Sequence, residues 1–391
     1  MARAAGREDA VTTERPTTPR EAADVLRVLS DRGLALRFGG ARTKWEWGEP
    51  CEAQAVVETT GLDAVVEHNA HDLTVIVQAG ARLADVQAVL GEAGQMLALD
   101  PPLGPESSAT VGGIMATADS GPLRHRYKAP RDLVLGMTVA LSDGTLARTG
   151  SKVIKNVAGY DIAKLFTGSF GTLGLIVELI FRLHPRPART VTVVGTTDDA
   201  AALQRGAMEV AHAPSEVEAL DVAYRNGTGR VLAQFGGIVP EDQAEAVVQL
   251  LRKAGCETEV HEDDSALWDA QRSDQRAHEG AVVKVSAVQT DLHEVIAAVA
   301  ALDASLVGRA GLGIHHVRLS GDDEGLVSAI EELRARLAPR PTVVRDAPPE
   351  VRAKISVWGD VPAGTLELMQ QVKSRFDPSM ACAPGIFVGG L

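Results

Sequence analysis

Residues 109–122 read ATVGGIMATADSGP, a run of small residues and hydroxyl groups around a pair of glycines. The run is too polar for a core strand and too rich in glycine for a helix, so it predicts an extended backbone laid against a flat ligand. In such a site the backbone N–H groups and the hydroxyls bind phosphate oxygens. A loop buried by close backbone packing is the alternative interpretation.

Two more glycine-rich stretches indicate the same kind of ligand. The sequence GGARTKWEWG (39–48) follows a predicted strand over 34–38, and glycine lets N–H donors approach a pyrophosphate closely because it has no Cβ atom. A tight surface turn is the alternative. The stretch KNVAGYDIAKLFTGSFGTLGLIVE (155–178) contains glycines spaced G-x-x-G-x-x-G, which lead into a predicted strand over 171–183. This excludes a Rossmann fingerprint, whose glycines open a helix.

Composition and charge narrow the possible classes of function. The chain has 391 residues, of which 45% are hydrophobic and 23% charged, and this predicts two globular domains. The formal net charge of -13 argues against a nucleic-acid or anionic-membrane partner. The cysteines are too few and too far apart for an iron–sulfur cluster. No apolar run is long enough to cross a membrane and the start shows no secretory signal, so we expect a cytoplasmic protein with a disordered tail over 1–15.

The secondary-structure pattern changes at HPRP (184–187). A capped helix, two strands and a β-rich stretch over 133–183 precede that point. After it, strands alternate with amphipathic helices, which predicts an α+β fold with one antiparallel sheet and helices on one face. The predicted strands are 190–194, 231–235, 282–285 and 314–319, and the predicted helices are 198–212, 241–254, 291–302, 323–337 and 366–376. We therefore place domains at 16–187 and 188–391.

The order and spacing of the three glycine-rich stretches, together with APRDLVLG (129–136) and FDPSMACAPG (376–385), resemble the FAD-binding (PCMH-type) oxidoreductases of the vanillyl-alcohol oxidase superfamily. Among these the sequence looks most like the FAD-binding E-type subunit of bacterial glycolate oxidase. The resemblance is dense through residue 183 and returns in the C-terminal tail. It implies a two-part PCMH-type FAD-binding domain over 16–187 and a cap or substrate domain over 188–391, whose tail returns to the first domain.

The resemblance also implies which residues bind FAD. Residues 40–43 and 110–113 would hold the pyrophosphate, with Arg42 either as an added cation or as a solvated side chain. No histidine lies in or next to the first glycine loop, so we expect the FAD to be bound non-covalently. The residues that would line the flavin are Pro101, Ala116 and Thr117, and the other implied contacts are Gly39, Gly40, Ala41, Arg42, Thr43, Lys44, Thr110, Gly112, Gly113, Gly171 and Ile176.

Two basic residues in the second half match family positions that bind substrate. The related 2-hydroxy-acid dehydrogenases hold the substrate carboxylate with basic side chains, and the resemblance places Arg272 and Lys284 at those positions. A charge-assisted hydrogen bond of about 1.5–3 kcal/mol is enough to orient a molecule as small as glycolate. Arg276, one helical turn after Arg272, would face the same side. Surface ion pairs are the alternative interpretation for each residue.

The metal site of those relatives is not retained. Their pattern H-x-G-D-G-N-L-H aligns with RAGLGIHH (309–316), where Arg309 replaces the first metal-binding histidine and Leu312 the aspartate. Arginine has no lone pair to give a metal, and VRD (344–346) stands where the family has a later Glu-His pair, so we predict no metal. His316 matches a family position and is the candidate catalytic base, with a structural histidine as the alternative.

Two functions fit these features. The first is an FAD-dependent oxidoreductase subunit acting on a small 2-hydroxy acid such as glycolate or D-lactate, with hydride transfer to the flavin and electron transfer to a partner. The alternative is a non-catalytic electron-relay or assembly subunit of a glycolate oxidase complex, in which a sister flavoprotein performs the chemistry and an iron–sulfur subunit takes the electrons. Such partners would hold the protein at the inner face of the membrane. A stand-alone flavin oxidase or NADPH-linked reductase is a third, weaker interpretation.

Overall fold

The computed structural model of the protein describes residues 11–152 and 161–391. The first part of the third glycine-rich stretch, up to residue 160, therefore lies outside the described residues, as does the predicted tail up to residue 10.

Ten strands and six helices are described in the FAD-binding half. The strands are β1 (Thr12–Glu14), β2 (Leu36–Gly39), β3 (Ala55–Glu58), β4 (Val65–Asn69), β5 (Thr74–Gln78), β6 (Gln95–Met96), β7 (Val134–Ala140), β8 (Leu146–Gly150), β9 (Leu175–Arg182) and β10 (His184–Pro185). The helices are α1 (Pro19–Asp31), α2 (Leu83–Gly91), α3 (Val111–Thr117), α4 (Arg124–Tyr127), α5 (Pro130–Leu133) and α6 (Ile162–Phe166).

These strands form two main sheets, as the two-part architecture predicts. A three-stranded parallel sheet has the order β1-β3-β2, and a five-stranded antiparallel sheet has the order β4-β5-β9-β7-β8. Helix α1 begins at the N-cap Thr18, whose hydroxyl accepts from the N–H of Glu21 at 3.1 Å, and it buries Leu26 and Leu29. The prediction of disorder was wrong for Thr12–Glu14, because these residues pair with β3.

Two local predictions in this half were also wrong. Residues 111–117 form helix α3, not an extended segment: the hydroxyl of Thr110 caps the helix by accepting from Gly113 N at 3.3 Å, and tertiary packing overrides the low helix propensity of glycine. The strand predicted over 171–183 begins only at Leu175. Gly171 and Gly174 have φ angles of +79° and +141°, which turn the chain before the strand begins.

Eight strands and seven helices are described in the cap half. The strands are β11 (Arg189–Thr197), β12 (Val217–Arg225), β13 (Thr228–Gly237), β14 (Glu257–His261), β15 (Ala281–Ser286), β16 (Ser305–Arg309), β17 (Ile314–Leu319) and β18 (Thr342–Asp346). The helices are α7 (Ala200–Ala211), α8 (Pro240–Ala254), α9 (Ser265–Ser273), α10 (Leu292–Ala301), α11 (Asp323–Leu337), α12 (Pro349–Arg352) and α13 (Ala363–Phe376).

The cap strands form one antiparallel sheet in the order β14-β11-β13-β12-β16-β17-β15-β18. Helices α7, α8, α10 and α11 cover one face, where Val283, Val285 and Val317 belong to a single hydrophobic core. The predicted α+β arrangement is therefore confirmed. The opposite face carries α9, through Trp268, and meets the FAD-binding half, since Tyr127 of α4 donates to Glu218 of β12 at 2.6 Å. This second face positions the candidate site.

The C-terminal tail returns to the FAD-binding half, as the resemblance implies. Leu36 N of β2 donates to the carbonyl of Ala381 at 2.8 Å. The fully buried ammonium of Lys373 lies 2.7 Å from the carbonyl of Thr172, from Oδ2 of Asp377 and from the carbonyl of Cys382. The tail is thus fixed to the third glycine-rich stretch by one buried cation.

Candidate FAD and substrate site

The first two glycine-rich stretches meet in the structure. A Cβ atom on Gly40 would lie 2.1 Å from the Thr110 hydroxyl oxygen, so only glycine allows this approach. Gly112, in the first turn of α3, is equally confined, because a Cβ atom there would lie 2.6 Å from the Cβ of Ala79. The third stretch joins them where a Cβ atom on Gly171 would lie 2.8 Å from the Phe38 ring. The small residues therefore bring backbone groups of separate segments together.

Three neighbouring pockets lie along this convergence, and we call them together the FAD cleft. The outer chamber has a volume of about 1130 Å³ and is bordered by Pro101, residues 41–43 and helix α9. Two narrow chambers of about 50 and 90 Å³ lie between the glycine loops, and the larger of these two shares residues 41–43 with the outer chamber. The sequence-predicted cofactor residues along the three chambers are Gly39, Gly40, Ala41, Arg42, Thr43, Lys44, Pro101, Thr110, Gly112, Gly113, Ala116, Thr117, Gly171 and Ile176.

Two cations of the first loop differ in their surroundings. Arg42 is 42% exposed in its side chain and pairs with Glu58 at 2.5 Å. Lys44 is buried and pairs with Asp119 at 3.2 Å, and burial lowers the pKa of Lys44. Closely approaching backbone groups with a few local cations match the donors that a dinucleotide diphosphate needs. The residues present therefore fit FAD.

The cap sheet presents charged side chains to this region. Lys284 of β15 lies directly opposite His316 of β17 in the antiparallel pair, so both side chains are on the face toward the FAD-binding half. Burial, followed by the nearby Arg345 and Arg124 charges, lowers the pKa of Lys284 to about 7. Lys284 forms no hydrogen bond or ion pair with any residue that the structure describes.

The neighbouring Arg309 joins the two halves of the molecule. Its guanidinium is buried and donates to the carbonyls of Ser120 at 2.9 Å and Gly121 at 3.2 Å, and to Nδ1 of His316 at 3.2 Å. Because arginine only donates, Nδ1 of His316 accepts and the neutral ring carries its proton on Nε2. Burial and the Arg309 charge hold the pKa of His316 well below its usual range. His315, its sequence neighbour, faces the helix-covered core.

Arg272 is not brought together with Lys284 and His316. Its guanidinium borders the outer chamber, 2.6 Å from Asp269 and 3.5 Å from Asp100, and its side chain is 28% exposed. Arg276 pairs with Asp346 at 2.8 Å and donates to the carbonyl of Thr43 at 3.1 Å. Both arginines therefore have acidic partners in this structure, and the carboxylate-binding role of Arg272 stays a prediction.

Two residues of the candidate site, Trp47 and Arg345, were not predicted from the sequence. The indole N–H of Trp47 donates to Asp346 at 2.8 Å, and the Arg345 guanidinium lies 4.5 Å from the centre of the Trp47 ring. A tryptophan next to the glycine loop was the available signal for the first. Nothing in the sequence pattern indicates the second. Across residues 11–152 and 161–391 no three His, Cys, Asp or Glu side chains cluster as metal ligands would, and metal independence stays a prediction.

Comparisons with known proteins agree with this geometry. Residues 13–150 match the sequence profile of a family described as "FAD binding domain". Glycolate oxidase subunit GlcE of Escherichia coli is 34% identical over 43% of this chain and 47% of that protein. Glycolate oxidase subunit GlcD of Bacillus subtilis is 29% identical over 72% of this chain and 58% of that protein. The chain thus spans about half the length of these curated relatives.

Two further comparisons concern a dehydrogenase sequence and a solved structure. The mitochondrial D-2-hydroxyglutarate dehydrogenase of Bos taurus is 34% identical over 46% of this chain and 32% of that protein. A solved structure of alkyldihydroxyacetonephosphate synthase superposes with a TM-score of 0.67 at 14% identity, covering 95% of this chain and 76% of that chain. At that identity the likeness concerns the fold.

The fold and the site define the class: the chain is a flavoprotein with the PCMH-type FAD-binding fold, and its cofactor is FAD. Within that class it is related to FAD-linked proteins named as glycolate oxidase subunits and as D-lactate and D-2-hydroxyglutarate dehydrogenases. No helix in the described parts of the chain combines the length and the apolar character that a membrane crossing needs.

Proposed function

We propose that the chain is an FAD-dependent oxidoreductase subunit that acts on a small 2-hydroxy acid of the glycolate or D-lactate type and passes the electrons to a partner. One observation carries the proposal: buried cations on the cap sheet, including Lys284 and Arg309, face the segment that follows α3, where Arg309 donates to the carbonyls of Ser120 and Gly121. A carboxylate bound there would lie near the end of α3, where Thr117 lines the FAD cleft. The named relatives support this substrate class.

The residues of the cap would bind and orient the substrate. When bound, FAD supplies an acceptor for the hydride from the α-carbon of the acid. Lys284 in its protonated form would hold the carboxylate by a charge-assisted hydrogen bond. The hydroxyl proton needs an acceptor, and His316 is the sequence-predicted candidate. Because Nδ1 of His316 already accepts from Arg309, this proton transfer requires that hydrogen bond to break first.

That constraint on His316 favours a second candidate function, the electron-relay subunit. A ring whose pKa is held low by burial and by the Arg309 charge is a weak base, since general-base catalysis works best with a pKa near the operating pH. In this second function a sister flavoprotein oxidises the acid, and the flavin of this chain passes electrons towards an iron–sulfur subunit. The glycolate oxidase subunits among the relatives support such a complex.

Anaerobic mixing separates the two functions. The purified FAD-loaded chain is mixed with glycolate or D-lactate without oxygen, and the visible flavin absorbance is followed. Bleaching by the chain alone supports the oxidoreductase. Bleaching only after the sister subunits are added supports the relay, and no bleaching in either mixture overturns both.

A matched pair of variants tests whether the buried cation matters. Lys284→Met removes the buried ammonium of the cap sheet, and we expect the acid concentration for half-maximal bleaching to rise about 10- to 100-fold. Lys253→Met removes an exposed ammonium on α8, and we expect no change. Equal behaviour of the two variants would contradict the role of Lys284.

A further inference from the structure

Arg345 is a buried, charged side chain with a hydrogen-bond donor that has no acceptor among the described residues. The residue is 9% exposed, and burial lowers the pKa of its guanidinium. Its Nη1 atom is buried and has no hydrogen-bond partner among the residues that the structure describes. The guanidinium carbon of Arg345 lies over the Trp47 ring, 4.5 Å from the ring centre. A buried guanidinium nitrogen without an acceptor is costly, so a ligand that supplies an acceptor there is favoured.

A β-bulge places Arg345 at this position. Val344 pairs with Val283, whereas Asp346 pairs with Val282, so Arg345 is the extra residue of β18 between them. Val344 packs into the helix-covered core, and Asp346 faces the FAD-binding half through its bond to Trp47. Bulges of this kind redirect a side chain and are common next to active sites.

The charges around Arg345 do not neutralise it. The two carboxylates that face it are each paired with another cation: Asp119 with Lys44 at 3.2 Å and Asp346 with Arg276 at 2.8 Å. Lys284, whose pKa the Arg345 charge lowers, adds a second cation without a carboxylate partner. The positive charges of Arg309 and Arg124 also lower the pKa of Lys284. Near Arg345 and Lys284 the cations therefore outnumber the carboxylates that are not already paired, and a bound anion would reduce the repulsion between these cations.

We propose that Arg345 and Lys284 form a buried binding site for one carboxylate group, with Arg345 in the role that the sequence assigns to Arg272. The inference rests on the proposed function only in taking that carboxylate to belong to the 2-hydroxy acid. Arginine suits the task because its planar fork binds both oxygens of a carboxylate.

The contrast with Arg272 supports this assignment. Arg272 is 28% exposed and already bound to Asp269 at 2.6 Å, so a carboxylate there would have to displace an existing acidic partner. Arg345 has a free donor and needs no such exchange. Arg345 thus gains more from an incoming anion than Arg272 does.

Oxalate binding to the FAD-loaded chain tests the site without turnover. Oxalate has two carboxylates and no α-hydrogen, so it binds without reducing the flavin. Calorimetry should give a dissociation constant that rises about 10- to 100-fold in Arg345→Met, because one charge-assisted hydrogen-bonded partner is lost. Arg345→Lys should recover part of the affinity. Arg318→Met, which removes a paired cation of the same sheet, should bind like the parent chain.

Several results would overturn the site. They are absence of oxalate binding to the parent chain, unchanged affinity in Arg345→Met, or a larger loss in Arg272→Ala than in Arg345→Met. If Arg345→Met fails to fold by circular dichroism, Arg345→Gln removes the charge, keeps a polar side chain and answers the same question. Oxalate binding that depends on Arg345, without bleaching by any 2-hydroxy acid, keeps the site and rejects the proposed substrate. Bleaching that is unaffected by Arg345→Met rejects the site alone.

Discussion

The two surfaces that meet between the FAD-binding half and the cap differ in the groups that form them. On the FAD side, separate segments approach through glycine and alanine, and Gly40, Gly112 and Gly171 are each confined by a neighbour that leaves no room for a Cβ atom. On the cap side, charged side chains such as Lys284 and Arg345 come from strands that are distant in sequence. The first surface depends on backbone geometry, and the second depends on where a sheet directs its side chains.

This difference decides how each surface responds to mutation. A backbone-lined site fails when a side chain is added, because neighbouring main-chain segments cannot move apart cheaply. A charge-lined site loses ligand binding when a charged side chain is removed or its protonation changes. The fold itself persists, because the remaining groups stay in place. Adding atoms tests the first surface, and deleting charge tests the second.

The largest effect is expected at the cation that fixes the tail to the FAD side. Lys373→Met should lower the free energy of unfolding by about 3–5 kcal/mol, because it leaves the buried Asp377 carboxylate without its charge partner. Urea unfolding followed by circular dichroism measures this loss. Arg336→Met, which breaks an exposed pair with Glu332, is the control and should cost at most about 0.5 kcal/mol. Equal losses would mean that the tail does not stabilise the cofactor half.

The next effect tests the backbone-lined surface directly. Gly40→Ala places a methyl group against the Thr110 hydroxyl, and we expect a loss of about 1–3 kcal/mol with a sharp fall in FAD content. The ratio of flavin to protein absorbance measures the second quantity. Gly364→Ala is the matched control, since nothing lies within 4 Å of a Cβ atom there. Normal FAD content in Gly40→Ala would contradict the close-approach argument.

The two surfaces also differ in how far the sequence predicts them. The glycine stretch 39–48 is a single continuous segment, so the sequence alone reveals it. The other glycine-rich stretches that lie beside it in space were predicted from their spacing and from the family resemblance. The helical state of Val111–Thr117 was missed because close packing outweighs the propensity of its glycines. Arg345 was missed for another reason: strand alternation cannot locate a bulge, and β18 itself was not predicted. The position of Arg345 depends on pairing between strands that are distant in sequence, and no local sequence pattern predicts such pairing.

A smaller effect should appear in the pH dependence of stability, through Asp100 where the two surfaces meet. Burial outweighs the attraction of Arg272 and Arg309 and raises the pKa of Asp100 from 3.8 to about 7. The folded state therefore favours the protonated carboxyl, and this contribution is complete below pH 3.8 and is lost as the pH rises towards 7.

The variant Asp100→Asn mimics the protonated carboxyl at every pH. Between pH 4.5 and 7 the parent chain should lose stability relative to the variant, by at most about 1.4 kcal/mol per pH unit. Asp221, whose pKa burial raises to about 6, stays in both proteins and gives both curves a common slope. Urea midpoints at several pH values measure the difference. Parallel curves would show that Asp100 is ionised in the folded state.

The smallest effect is expected for Arg272→Ala, and it separates the two candidate carboxylate partners in the cap. Arg272 is partly exposed and shared between Asp269 and Asp100, so its net charge towards the cleft is already reduced and screened by solvent. We expect the acid concentration for half-maximal flavin bleaching to change by about twofold or less, since exposed ion pairs contribute little. Arg225→Ala, which removes an exposed arginine paired with Asp274, is the control. A change of about tenfold or more in Arg272→Ala alone would return the substrate carboxylate to the outer chamber and make Arg345 a structural residue.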